Sequence, residues 1–376
     1  MVPTDAEVLA FRPNDLPPKL EIDSALQWKH DQAILAIGEL RAVLPTLPNA
    51  GLVTEPFSRR EAVLSSRIEG TRTGLEQLYV FEKQNRSPLA DETGDDRDAR
   101  EVHNYVTALR HGVALLPKLP IGHRLFCEMH ERLFDGLGRP GVEPGAFRRQ
   151  QNFIGRSTHI ADATFVPPPP AELAALTSNL ERYVNGPRTF PVLVDIAIAH
   201  YQFEAIHPFA DGNGRIGRIL ITLMLAETGL LPDPLLYLSA HFEHNRREYY
   251  DRLLGISRGG DWLAWVDFFV EGVGIVARDA ARRARSLLAL REQTRQELQE
   301  SGQSSRLFTL VDALFATPVT TVNQAMETMG LSSYRGAQKN VERLIQAGFL
   351  TEITGQRRNK VYVAKPITDL LDAPSA

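Results

Sequence analysis

The chain has 376 residues, 43% hydrophobic and 23% charged, and carries a formal net charge of −4. That composition fits an ordinary globular protein with room for two or three domains, and it argues against general coating of nucleic acid. The single cysteine, Cys127, excludes an internal disulfide, and no apolar run approaches the roughly eighteen residues of a membrane span. Met1-Val-Pro-Thr-Asp-Ala-Glu lacks the basic start of a signal peptide, so a cytoplasmic location and no membrane partner are expected.

In chain order, residues 1–22 are proline-rich and read as an extended arm on the body. From Ile22 to Glu82 the apolar spacing is helical, broken at Pro45–Pro48 and at Gly70. Within it, Ser58-Arg-Arg-Glu61 has the spacing of a capping box and predicts a helix that starts there, with Gly70 closing it. Gln84 to Asp96 reads as an exposed acidic loop and a boundary. Helical patterns follow over Asp98–Leu116, Ile121–Leu137, Pro170–Val184, Pro191–Ile206, Arg215–Glu227, His244–Ile256 and Asp261–Val276. Phe147–Gly155 and His159–Val166 predict a short β-hairpin, left through the stiff Pro167–Pro170. Arg278–Gln299, rich in both charge signs, predicts a solvated connector helix. Beyond a hinge at Ser301–Ser305, helices are expected over Arg306–Ala316, Thr320–Met329 and Ser332–Ala347. Strands are expected over Phe349–Thr354 and Lys360–Ala364.

The chemistry concentrates in His207-Pro-Phe-Ala-Asp-Gly-Asn-Gly-Arg-Ile-Gly-Arg218. Gly212-Asn213-Gly214 lets backbone N–H groups approach an anion, because glycine adds no Cβ. The helix that follows places that anion at its N-terminus, where Arg215 and Arg218 add two fork-shaped donors suited to phosphate oxygens. Asp211, an acidic residue in a site prepared for anions, makes sense as a ligand that holds Mg²⁺ between itself and the phosphates. His207 is then the general base.

At every defining position this stretch resembles the signature of the Fic family, whose members usually transfer AMP from ATP to a hydroxyl side chain of a target protein. The resemblance implies a mainly α protein, with a Fic-type helical core and a small β-hairpin flap. It implies ATP contacts at Gly212, Asn213, Gly214, Arg215, Ile216, Gly217 and Arg218, and at Tyr250 (favoured over Tyr249) beside the base. Gln151, Asn152, Ile154 and Gly155 resemble the flap that docks the target by strand addition. Ser65-Ser-Arg-Ile-Glu69-Gly70 matches the family's inhibitory pattern, and implies that Glu69 pairs with Arg218 where the γ-phosphate belongs. On this reading residues 1–97 are a helical region with an inhibitory helix at about 58–70, 98–277 the catalytic core, 278–300 the connector and 301–376 a further domain.

That last domain resembles a winged helix-turn-helix. Ser332 to Lys365 holds seven Lys/Arg against two Asp/Glu, with Arg335 and Lys339 on the recognition helix and Arg357, Arg358 and Lys360 on the wing. DNA contact and protein contact both remain open for it. The expected cofactors are ATP, as substrate, and Mg²⁺, and the expected partner is a protein with a Ser, Thr or Tyr hydroxyl. Self-modification, removal of AMP by the same site and a homodimer stay open. The alternatives are a DNA-binding regulator with a nucleotide-sensing core, or transfer of another phosphate-linked group.

Overall fold

The computed structural model describes residues 1–376 except 5–7, 47–48, 84–93, 156–158, 232–233, 356–359 and 374–376. The N-terminal arm begins with a two-residue antiparallel ladder, β1 (Val2–Pro3) on β2 (Leu9–Ala10). It then lies on the body: Phe11 N donates to the Val166 carbonyl at 2.8 Å and Leu16 N to Asn179 Oδ1 at 2.8 Å. Asp23 caps helix α1 (Ser24–Val43) by accepting from Leu26 N at 2.7 Å.

Helix α2 (Gly51–Ile68) starts a full turn and more before Ser58, which overturns the expected capping box. Ser58 lies inside the helix, its hydroxyl donating to the Glu55 carbonyl at 2.8 Å. Glu61 is engaged elsewhere, buried and accepting from Tyr105 Oη at 3.0 Å and Ser239 Oγ at 2.5 Å. The spacing of a capping box also suits a mid-helix pair, and here the tertiary demand on Glu61 decides. The other end is as the sequence predicts. Gly70 has φ +107°, Gly70 N donates to Arg67 O at 3.0 Å and Thr71 N to Ser66 O at 3.2 Å, a Schellman closure that leaves Glu69 at the C-cap.

Helices α3 (Leu75–Lys83), α4 (Gly94–Leu115), α5 (His123–Leu133) and α6 (Leu173–Asn185) surround a central pair, α7 (Val192–Ile206) and α8 (Asn213–Glu227). The expected acidic loop falls largely outside the described residues. Nearly every side chain of α7 and α8 is buried, the polar Asp195, His200, Gln202, Asn213, Arg215 and Arg218 included, as suits a central pair. Next come α9 (Ser239–His244), α10 (Arg246–Gly259) and the 39-residue α11 (Trp262–Glu300). His200 ties three of these together, with Nδ1 2.9 Å from the Gly217 carbonyl and Nε2 2.9 Å from Tyr249 Oη.

The expected passage from core to connector at 277/278 falls in the middle of α11, which packs along α1 and is not solvated there. Asp279 and Arg283 are buried, and the Arg283 guanidinium bonds the Asp279 carboxylate at 2.7 Å. Beyond α11 lie α12 (Ser305–Ala316), β3 (Val319–Thr321), α13 (Val322–Thr328), α14 (Tyr334–Gln346), β4 (Thr351–Glu352), β5 (Val361–Val363) and α15 (Lys365–Asp372). The three strands form an antiparallel sheet in the order β3-β5-β4, with Val319 and Thr351 both opposite Val363. Strand β3 and helix α15 were not expected from the sequence.

The last turn of α15 ends in carbonyls that lack intrahelical partners. Arg283 supplies donors to Leu370 O at 2.6 Å and Ala373 O at 2.7 Å, and Arg60 of α2 donates to Leu371 O at 2.8 Å. Two guanidinium groups at a helix C-terminus also suit its negative end. The C-terminal elements are thereby seated on the back of α2.

Among the described residues the expected β-hairpin is one bridge between Ile154 and Phe165, with N–H···O distances of 2.8 and 3.0 Å. On the side of Val166–Pro168 other groups take the carbonyls that would extend the ladder. Phe11 N bonds Val166 O at 2.8 Å, Gln151 Nε2 bonds Pro167 O at 2.8 Å and Arg148 bonds Pro168 O at 2.5 Å. Proline offers no N–H in return.

Candidate active site

Residues 207–212 join α7 to α8, and the turn begins with strain. His207 has φ +51°, the one positive φ at a non-glycine among the described residues, where an L side chain costs about 1–2 kcal/mol. Several contacts hold it. Arg148 Nε donates to His207 O at 2.9 Å and Arg148 N to Pro208 O at 2.9 Å. The Asn213 side chain grips both backbone groups of Phe209, each at 2.8 Å, and Asn152 Nδ2 adds a bond to Phe209 O at 3.1 Å. Phe209 stacks on His130 with centroids 3.9 Å apart and planes at 3°. Gly145 N donates to His130 Nδ1 at 3.0 Å, so Nε2 carries the ring hydrogen toward Asp211 O, also at 3.0 Å. Burial pushes the His130 ring down to about 4, which keeps it neutral.

The consequence is an imidazole in a defined tautomer. His207 Nδ1 lies 3.2 Å from the Glu204 carbonyl, which can only accept, so Nδ1 bears the hydrogen and Nε2 the lone pair. Burial pushes this ring down to about 4 as well, and it is neutral near pH 7.

Four charges close a ring beside it. Glu101 accepts from Arg139 at 2.7 Å and from Arg215 at 3.2 Å, while Asp211 pairs with Arg139 and stands 3.6 Å from Arg215. Arg215 is buried, with its guanidinium 5.4 Å from the Phe134 centroid. Burial works to raise the Asp211 carboxyl, but Arg215 and Arg139 hold it below the usual carboxylate range. Asp211 also accepts from Gly212 N at 2.6 Å. Arg215 and Asn213, expected at the phosphates, thus have their side chains engaged with Glu101 and Phe209.

On the other side of the α8 N-terminus, Arg218 is buried and meets α2. It donates to Glu69 Oε1 at 2.6 Å, to Ser65 Oγ at 2.7 Å and to Ser65 O at 3.0 Å. A Cβ on Gly214 would stand 2.5 Å from Glu69 Oε1, so the carboxylate lies against the first turn of α8, where an anion would sit. Burial opposes ionisation of Glu69, and Arg218 and Arg215 more than offset it, leaving the carboxyl below its ordinary value. Gly212, at φ +82°, has no room for a side chain, since a Cβ would be 2.7 Å from the Phe134 ring. Ile216 is fully buried, and Gly217 occupies the first turn of α8.

A cavity of about 740 Å³ is lined among others by Ile154, Gly155, Tyr201, Glu204, Tyr250 and Ser257. Tyr250 is 41% exposed, whereas Tyr249 is buried in the core against His200. The Ser257 hydroxyl is 2.9 Å from Tyr201 Oη. Of the four flap residues, Ile154 and Gly155 face the cavity, and Gln151 and Asn152 brace the loop frame instead. Sequence reasoning missed Arg139, Glu101, His130 and Glu204, and gave Arg148 no role. None of them carries a local signal, because Arg139, Glu101, His130 and Arg148 act on partners from another helix or loop and Glu204 stands in no motif. Arg335 and Lys339 lie exposed on α14 and Lys360 is exposed, while Arg357 and Arg358 lie outside the described residues. Among the described residues no group of three His, Cys, Asp or Glu could hold a metal by itself, and no helix is long and apolar enough to cross a membrane.

With this geometry in view, the comparisons with known proteins agree on one lineage. The model of the Fic/DOC family N-terminal region matches residues 28–114, and that of the Fic/DOC family matches residues 120–225. A protein adenylyltransferase Fic of Drosophila virilis is 26% identical over 277 residues, which cover 72% of this chain and 51% of that protein. One from Culex quinquefasciatus is 30% identical over 207 residues, covering 53% and 38%. The chain thus spans about half, or less, of the length of the curated relatives it matches. Among solved structures, a Fic family protein from Desulfovibrio desulfuricans G20 superposes with a TM-score of 0.59 at 23% identity, covering 93% of this chain and 98% of that one. Fic-1 from C. elegans gives 0.53 at 21% identity, covering 71% and 74%. Both likenesses speak to the fold. The two family models together span just over half of the chain on either side of one signature loop, and the chain belongs to the Fic/DOC family.

Proposed function

We propose that this protein is an adenylyltransferase that moves AMP from ATP to a Ser, Thr or Tyr hydroxyl of a protein. The observation that carries this reading is His207, neutral and fixed with its Nε2 lone pair free, beside a helix N-terminus built for an anion. His207 takes the proton of the incoming hydroxyl. The oxygen attacks the α-phosphorus, the bond to the bridging oxygen of the β-phosphate breaks, and pyrophosphate leaves. No covalent enzyme intermediate is needed, so positioning and charge stabilisation dominate.

The nucleoside belongs in the cavity beside Tyr250, with the phosphates running toward the α8 N-terminus and Arg218. Asp211 fits as the one protein ligand of Mg²⁺, which commonly takes one or two carboxylates and completes its shell with substrate phosphates and water. Its oxygens now engage Arg139 and Gly212 N–H, and Arg139 would have to yield. Bound there, Mg²⁺ would neutralise charge on the departing pyrophosphate. Glu69, holding Arg218, keeps the enzyme largely inactive. The exposed bridge at Ile154 supports docking of the target backbone at the cavity rim. Self-modification and reversal by the same base follow from the same chemistry.

The test is to supply ATP labelled on the α- or the γ-phosphorus. The α-label should enter protein and the γ-label should not. Entry of the γ-label would indicate phosphate transfer, and label from another nucleotide or a choline-type donor would indicate a different donor.

A second reading concerns the C-terminal elements, whose order supports a winged helix-turn-helix. Tyr334, Arg335 and Lys339 are exposed on α14 with no ion-pair partner among the described residues. If that face meets DNA, the full chain should shift duplex fragments at low salt. Arg335→Ala with Lys339→Ala should reduce the salt slope by about 1–2. Absence of any shift would leave a protein partner for this domain.

A further inference from the structure

Glu204 stands three residues before His207 in the last turn of α7, and only its backbone carbonyl serves the base. Glu204 lines the same cavity as Tyr250. The carboxyl is pressed against Gly217, where a Cβ would come within 3.2 Å of its Cδ. Oε1 is buried and has no hydrogen-bond partner. Arg218, the cation on this side of the cavity, is committed to Glu69 and Ser65, and among the described residues no cation pairs with Glu204.

An acid there that no cation pairs with conflicts with a phosphate ligand unless it carries its proton. We propose that Glu204 is a nucleotide-recognition residue, which faces the ribose–phosphate segment as an uncharged carboxylic acid and donates its proton to an oxygen of the ligand. The proposal rests on the nucleotide-binding reading of the cavity above.

The surroundings support that protonation state. Burial pushes the carboxyl up to about 8, Arg218 works to lower it and Glu69 to raise it. The groups facing it are Arg218 on α8, Glu69 at the end of α2, Tyr249 and Tyr250 on α10 and Tyr201 on its own helix. His207 lies below, and Arg246, Arg247 and Asp251 stand at the cavity rim. His207 lies at about 4 and Tyr250 at about 12, Tyr249 and Tyr201 are pushed up, and Glu69 is held down. Among these, Glu204 is the group placed to titrate between neutrality and mild alkali.

The experiment measures binding of ADP, which lacks the γ-phosphate that Glu69 would oppose, by calorimetry from pH 6.5 to 9.5. The full chain, Glu204→Gln and Glu204→Leu are compared, with folding followed by circular dichroism. For the parent, affinity should fall about tenfold between pH 7 and pH 9, as the bound form requires the proton. Glu204→Leu should bind about tenfold more weakly than the parent at pH 7, having lost a donor to a charged acceptor. Glu204→Gln, which keeps a neutral donor, should restore most of that loss and remove the pH dependence. The same alkaline slope in Glu204→Gln as in the parent, or no slope in the parent, overturns the proposal and leaves the nucleotide reading standing. No binding of ADP by the parent at pH 6.5 overturns both.

Discussion

Glu69→Gly should raise AMP transfer, to the protein itself and to targets, by about tenfold or more, because about 1.4 kcal/mol of relieved misalignment already gives that factor. Glu69 bonds Arg218 at 2.6 Å and lies against Gly214, where the end of a triphosphate would approach the helix N-terminus. With the carboxylate gone, Arg218 can turn to the γ-phosphate and bring the α-phosphate into line with the attacking hydroxyl. The substitution is mild for the helix end, although it takes from the buried Arg218 its carboxylate partner and leaves it the two Ser65 bonds. Glu69 is the C-cap, with φ −85° and ψ −6°, and the Schellman closure is made by the backbone of residues 66–71. Arg218→Ala in the Glu69→Gly background should reverse much of the gain. Incorporation of α-labelled ATP measures both variants. A Glu69→Gly protein that folds, binds ATP and transfers no faster than the parent would falsify the autoinhibitory role.

His207→Ala should lower transfer by about two to four orders of magnitude, the usual contribution of a general base, while ADP binding stays near that of the parent. A companion variant separates chemistry from strain. His207→Gly relieves the left-handed backbone at φ +51° and should be at least as stable as His207→Ala, yet equally inactive. Denaturant unfolding and the transfer assay, run side by side, test this. The pH dependence has a definite sign. Burial holds the ring at about 4, so the base is available at neutrality and is lost only as pH falls through that value. The acid limb of the rate should therefore lie well below the ordinary histidine range. Transfer by His207→Ala within a few-fold of the parent would remove His207 from this role.

Much of the site was legible in the primary structure because its parts are local. Gly212 and Gly214 sit where a backbone must come close to another group, Gly70 closes a helix, and the run up to Ile206 has helical spacing. Such features follow from steric limits and helical period, which operate within a few residues. The family pattern around Ser65 and Glu69 added the one long-range pairing that could be anticipated, across 149 positions to Arg218.

What only the tertiary structure decided is where side-chain hydrogen bonds and charges are satisfied. Arg215 is a buried guanidinium that must be neutralised, and Glu101 from α4 does so 114 positions away. Asn213 was expected at the ligand, yet both its polar ends hold Phe209, since the strained His207 turn needs that brace. Ser58 lost its capping role because Glu61 is drawn to Tyr105 and Ser239, and the hairpin lost its ladder to side chains and the N-terminal arm. Glu204 had no motif at all. Most of the helices, the turn glycines and the signature loop around His207 were legible along the chain, because these depend on near neighbours. The tertiary structure decided which charges meet and which carboxyl stays alone, because burial leaves each polar group dependent on whatever distant partner the packing brings within reach.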